Sequence, residues 1–227
     1  MSTTVIYLIA GIAFASSWLV KRWLTSTYKK WSQVENTHRI TGAQTAAAIL
    51  QANDVHNVRI EPVKGRLTDH YDPERDILRL SASNYAGTSI AAMAVSAHEA
   101  GHAMQDAQRD LRLRFRRFLV PAAAMGQRFG PIILMVGLFS RSTAILQVGV
   151  LLLAGTMLFQ IATLPVEFNA SRRALRNLRK LGLDDPEQEK GTKRVLTAAA
   201  FTYVAAAATS IAYFATLFAT RGRGRVI

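Results

Sequence analysis

Four long apolar stretches divide this chain of 227 residues, and they limit its fold more than any other feature. Hydrocarbon offers backbone N–H and C=O groups no partner, so a chain entering it folds as helices or closes as a barrel. About 18–25 apolar residues, rising 1.5 Å each, cross a bilayer core of about 30 Å. Residues 3–20 are uncharged and rich in Ile, Ala, Leu and Val. Residues 119–139 are apolar apart from Gln127 and Arg128, and contain Pro121 and Pro131. Residues 143–164 are interrupted mainly by Gln147 and Gln160, and residues 195–219 carry no charge. About four transmembrane helices are therefore expected. The second is the weakest, because Arg128 near its middle has to face protein or water, or snorkel. Ser140-Arg141-Ser142 is short enough to make the second and third spans a helical hairpin.

Charge orients these spans. The chain has a formal net charge of +13, with 28 Lys and Arg. Fifteen of these lie in 21–118 and eight in 166–194, two loops that the hairpin places on one side. That is the bias of cytoplasmic loops, and no nucleic-acid-binding motif accompanies it, so no nucleic-acid partner is expected. Ala13-Phe14-Ala15 could be a cleavage site, but no basic residue precedes the first apolar run, whereas Lys21, Arg22, Lys29 and Lys30 follow it. A cleaved signal has the opposite order, so residues 1–20 read as an uncleaved anchor. Against the same rule, four spans leave the tail with Arg221, Arg223 and Arg225 outside.

Between the anchor and the hairpin, 21–118 reads as a small α+β domain. A helix is expected from Thr41 or Gly42 to about Gln51. Runs Val58–Val63, Leu67–Tyr71 and Ile77–Leu80, separated by Lys64-Gly65 and Asp72-Pro73-Glu74, read as a short antiparallel sheet. A second helix is expected from about Ser89 to Ala107, with Thr88 or Ser89 as its cap, and its apolar face (Ile90, Met93, Ala94, Ala97) is expected to pack on the sheet. Residues 119–165 form the hairpin, 166–194 a further helix and loop, and 195–227 a last span with the basic tail.

The second helix carries His98-Glu99-Ala100-Gly101-His102. Residues four apart share a helix face, so both imidazoles can occupy corners of a zinc tetrahedron, with Glu99 placed to act on a water there. The chain has no cysteine, so any zinc has to be held by His and carboxylate. A catalytic zinc needs a third protein ligand. Glu167 is the prominent candidate: it lies where the third span emerges, and Ala170 and Ser171 at i+3 and i+4 offer it no cation. The alternative is an acidic residue in the first turn of a helix begun by Pro165, and spacing alone leaves both open.

Three stretches carry a resemblance. Thr68-Asp69-His70-Tyr71-Asp72-Pro73, Ala97-His98-Glu99-Ala100-Gly101-His102-Ala103-Met104-Gln105 and Leu164-Pro165-Val166-Glu167-Phe168-Asn169-Ala170-Ser171-Arg172-Arg173 resemble the YugP-type family of bacterial membrane zinc metallopeptidases. More distantly, the layout is similar to gluzincins, including HtpX-type and CAAX prenyl proteases. The resemblance implies a zincin-like fold for the α+β domain and Zn2+ held by His98, His102 and Glu167, with Glu99 as the catalytic glutamate. It further implies hydrolysis of peptide bonds, with a polypeptide and the lipid bilayer as partners. Placement at the bilayer favours membrane proteins as substrates. The resemblance implies a bacterial inner membrane, and the bias of charge would put the site on its cytoplasmic side. Ser171 stands where gluzincins have an aspartate that orients a zinc-bound histidine, so another group, Asp106 for example, has to support the imidazoles. His70 reads as an oxyanion donor or, more simply, as a hydrogen-bonded strand end. Arg172, Arg173 and Arg176 read as substrate-carboxylate binders or as a charge cluster facing the cytoplasm. The rival functions are a membrane scaffold with a structural zinc, and a zinc hydrolase of a non-peptide amide.

Overall fold

A computed structural model describes residues 3–183 and 185–221. The elements in order are α1 (Thr3–Trp31), α2 (Gly42–Gln51), β1 (Arg59–Val63), β2 (His70–Asp72), β3 (Ile77–Ser81), α3 (Ala82–Tyr85), α4 (Ile90–Ala107), α5 (Leu111–Phe139), α6 (Thr143–Lys180) and α7 (Pro186–Arg221). They form two compact units. One gathers 22–113 and 166–201. The other gathers the described residues of 1–21, 114–165 and 202–227.

The second of these units is helical and apolar. Among the described residues, three helices are long and apolar enough to cross a membrane: Leu111–Phe139, Thr143–Lys180 and Pro186–Ala215. Residues 3–20, the first expected span, are helical within α1. The basic tail beyond Arg221 lies outside the described residues. Within this unit α5 and α6 approach closely: a Cβ on Gly126 would collide with the main-chain oxygen of Leu152. Contact through small residues is how helices associate without a hydrophobic driving force between them. Arg128 is exposed on α5, with its guanidinium over the Phe129 ring at 5.4 Å.

The other unit holds a core of its own, built from Ile49 and Leu50 of α2, Leu78 and Leu80 of β3, Met93, Ala94 and Ala97 of α4, and Ala174 and Leu178 of α6. Helix starts are set by side-chain caps. Thr41 and Gln44 form a reciprocal capping box on α2, and Ser89 accepts from the Ala92 N–H at the start of α4. Helix α4 packs more extensively on α2 than on the sheet.

The sheet corrects one expectation. It has three strands in the order β1-β3-β2, with β1 parallel to β3 and only β2 antiparallel to it. The turn after Asp72 does make a β2–β3 hairpin; Asp72 Oδ1 accepts from the Glu74 and Arg75 N–H groups. Lys64-Gly65 does not make the other hairpin. The chain runs on through six residues, with Gly65 and Leu67 at positive φ, and sets β2 on the far side of β3. Alternation of apolar residues locates strands, whereas their order depends on what the sheet packs against.

Candidate metal centre

Residues 98–102 lie inside α4, so the two histidines stand one turn apart on one face. Their ring centroids are 4.7 Å apart and their planes cross at 89°. From α6, Glu167 places Oε2 3.2 Å from His98 Nε2 and 3.4 Å from His102 Nε2. One ligand atom from each of the three residues falls within 4.8 Å of the others, and the group is largely buried. Pro165 lies inside α6 without ending it, so Glu167 is not in a helix's first turn and the dipole explanation for it falls.

This donor set fits a zinc ion. Ligands at zinc distances of about 2.0–2.2 Å around a tetrahedron stand about 3.3–3.6 Å apart, and both imidazole–carboxylate separations lie at or near that range. The imidazoles present Nε2 inward and make hydrogen bonds through Nδ1 on their outer side, to Ser171 Oγ at 3.1 Å from His98 and to Gln105 Oε1 at 3.0 Å from His102. Such outer partners are a general feature of metal-binding histidines. Glu167 is 2 % exposed, a depth at which a carboxylate is costly without opposite charge.

Electrostatics follow from burial. Desolvation pushes the Glu99 carboxyl up, opposed by His102 and His98. Burial alone would lower His102, but hydrogen bonding to Glu167 and its charge outweigh this and raise it.

Close approach of the two helices depends on Gly101. A Cβ there would lie 2.7 Å from the main-chain oxygen of Ala170 and 3.2 Å from its Cα. The glycine between Ala100 and His102 therefore lets the Glu167 helix come near enough to complete the triad. Neither Gly101 nor Gln105 is singled out by reading the motif alone. The i+3 spacing of Gln105 from His102 was the available signal.

Other expected site residues resolve differently. Ser171, expected to leave support of the imidazoles to another group, itself reaches His98 Nδ1. Asp106, offered as that support, instead accepts from the Tyr71 hydroxyl at 3.1 Å. His70 is exposed, with Nδ1 2.8 Å from the Thr68 carbonyl at the start of β2, as a strand-end hydrogen bond requires. Its neighbour Asp69 is structural, receiving hydrogen bonds from Ser81 and Asn84. Arg173 reaches Asn169 and Gln108, while Arg172 and Arg176 border, with Lys180, Asn53 and Asn177, a recess of about 330 Å³.

The family model described as "Putative neutral zinc metallopeptidase" matches residues 6–221. The chain belongs to this family. It is also 40 % identical, over 201 residues and 88 % of each chain, to the "Putative membrane protease YugP" of Bacillus subtilis (strain 168). No solved structure matches it. The family's zinc chemistry agrees with a cluster of two histidines and a glutamate on a chain without cysteine.

Proposed function

We propose that this chain is a membrane-embedded zinc metallopeptidase that hydrolyses peptide bonds in membrane proteins at a site on the cytoplasmic side. The observation that carries this reading is the convergence of His98, His102 and Glu167 beside a buried Glu99. His98 Nε2, His102 Nε2 and a Glu167 carboxylate oxygen would hold the ion. Zinc, when bound there, supplies a Lewis acid that acidifies a water and polarises a substrate carbonyl. The proton handling belongs to Glu99, which takes a proton from the attacking water and returns it to the departing amine nitrogen. Its burial suits this, because desolvation raises the carboxyl, which makes the carboxylate a stronger base toward the water and lets it hold the proton until the amine leaves. An extended substrate can pair through its backbone with an edge of the small sheet. Four spans, 3–20 included, complete the reading.

The test is Glu99→Gln in the full chain. Zinc content stays near one ion per chain, and cleavage of peptide substrate falls by about 10²–10⁴-fold. A scaffold with a structural zinc would keep its biological activity in this variant. A non-peptide hydrolase would turn over without changing peptide mass. Either result sinks the peptidase reading.

A further inference from the structure

We propose that Gln105 is a positioning residue that fixes the tautomer of His102, and that Asn169 and Arg173 hold Gln105 in the orientation this needs. The inference rests on His102 being a metal ligand, as proposed above. Gln105 is completely buried. Its Nε2 donates to the main-chain oxygen of Val166 at 3.0 Å and to Asn169 Oδ1 at 3.0 Å. A carbonyl only accepts, so the half of the Gln105 amide facing Val166 has to be the NH2 group. Turning the amide over would set two oxygens against each other in a buried space, at the cost of an unsatisfied pair. The remaining half, Oε1, therefore faces His102 Nδ1 at 3.0 Å.

An amide oxygen likewise only accepts, so Nδ1 carries a proton whether the ring is neutral or charged. When the ring is neutral its lone pair is on Nε2, the atom 3.4 Å from Glu167 Oε2 and turned toward the cluster. The same logic extends outward. Asn169 Oδ1 receives both Gln105 Nε2 and Arg173 Nε, the latter at 2.7 Å, which fixes the Asn169 amide. Arg173 also donates to Gln108 Oε1 and lies 3.5 Å from Asp110 Oδ2. Hydrogen bonds of fixed direction thus run from His102 through Gln105 to Asn169 Oδ1, where the Arg173 guanidinium, paired with the Asp110 carboxylate, donates from the other side. His98 has no such constraint, because the Ser171 hydroxyl can donate or accept.

The experiment measures Zn2+ affinity of the detergent-solubilised full chain by competition with a chromophoric chelator, together with the visible spectrum of its Co2+ form. Gln105→Leu keeps volume and removes the acceptor. Its zinc affinity is expected to fall about 10–100-fold, the usual consequence of losing such a partner, with an altered Co2+ spectrum. Asn169→Asp keeps an acceptor for both Gln105 and Arg173 and is expected to stay within about threefold of the parent chain. Asn169→Leu is expected to lose less than Gln105→Leu but measurably. A Gln105→Leu chain with unchanged melting temperature, affinity and Co2+ spectrum overturns the proposal. If Gln105→Leu does not fold, Asn169→Leu decides: weaker zinc binding in a folded chain supports the relay, and unchanged binding overturns it. A parent chain that binds zinc no better than His98→Ala sinks the metal site and this inference together, whereas a parent that binds and a Gln105→Leu that binds equally sinks only the inference.

Discussion

Gly101 is the residue on which the cluster's geometry turns. The atom its Cβ would strike belongs to the backbone of Ala170, and backbone cannot swing aside as a side-chain end can. Gly101→Ala should therefore push α4 and α6 apart and draw Glu167 away from both imidazoles. The expected loss is about 1–3 kcal/mol of stability, typical of overpacking a tight contact, with weaker zinc binding in the fraction that folds. Thermal melts and a zinc titration check it, and a variant matching its parent in both would show that the contact relaxes freely. The contrast with its neighbours shows what can be read at this scale. His98, Glu99 and His102 are legible because their chemistry is local, three side chains on one turn of one helix. Glu167 is legible as a carboxylate in a costly place, although spacing alone does not say what it meets. Gly101 and Ser171 act through contacts with residues on another helix, and nothing in the flanking sequence announces the partner.

Secondary-structure elements start where short-range chemistry starts them, which makes their ends testable. Thr41 Oγ1 accepts the Gln44 N–H while Gln44 Oε1 accepts the Thr41 N–H, and this box opens the helix that supports α4. Thr41→Ala should lower stability by about 1 kcal/mol and leave zinc affinity of the folded chain unchanged. Asp185 does the same work before Pro186. Its carboxylate accepts from the Glu187 and Gln188 N–H groups and from Thr37, and the Gln188 backbone bond leads the contacts that hold its pKa down at about 2 against an ordinary 3.8. A depressed carboxyl contributes stability that is fully present above the unfolded value and lost as pH falls through the folded one. Between about pH 4 and pH 2, the difference in melting temperature between the parent and Asp185→Ala should therefore shrink; a constant difference would mean the carboxylate's charge is not involved. Helix starts such as these are legible because cap and helix are contiguous. The order of the strands is not. A parallel β1–β3 pair requires β2 to pass to the far edge, a choice made by the packing of β3 in the core and invisible in each strand's own residues.

For the whole molecule, the proposed orientation assigns each segment to one side of the membrane. Fifteen basic residues lie in 21–118 and eight in 166–194, which places both segments on the cytoplasmic side if the bias of charge governs insertion. The turn between α5 and α6 then lies on the opposite side. The absence of cysteine makes this unusually clean to test, because a single introduced thiol is the only reactive one. Arg66 and Arg141 are both exposed, Arg66 in the loop before β2 and Arg141 in the hairpin turn. In intact cells, Arg141→Cys should react with a membrane-impermeant maleimide, and Arg66→Cys should react only after the membrane is opened. Reaction of Arg66→Cys but not of Arg141→Cys in intact cells would invert the proposed orientation and put the site outside. Identical behaviour at both positions would mean that the hairpin does not cross. The two thiols separate these failures because one reports the charge-rich domain and the other the hairpin turn. A site confirmed inside would then confine its substrates to proteins with cytoplasmic or membrane-proximal segments, since a peptide bond held on the far side could not reach Glu99.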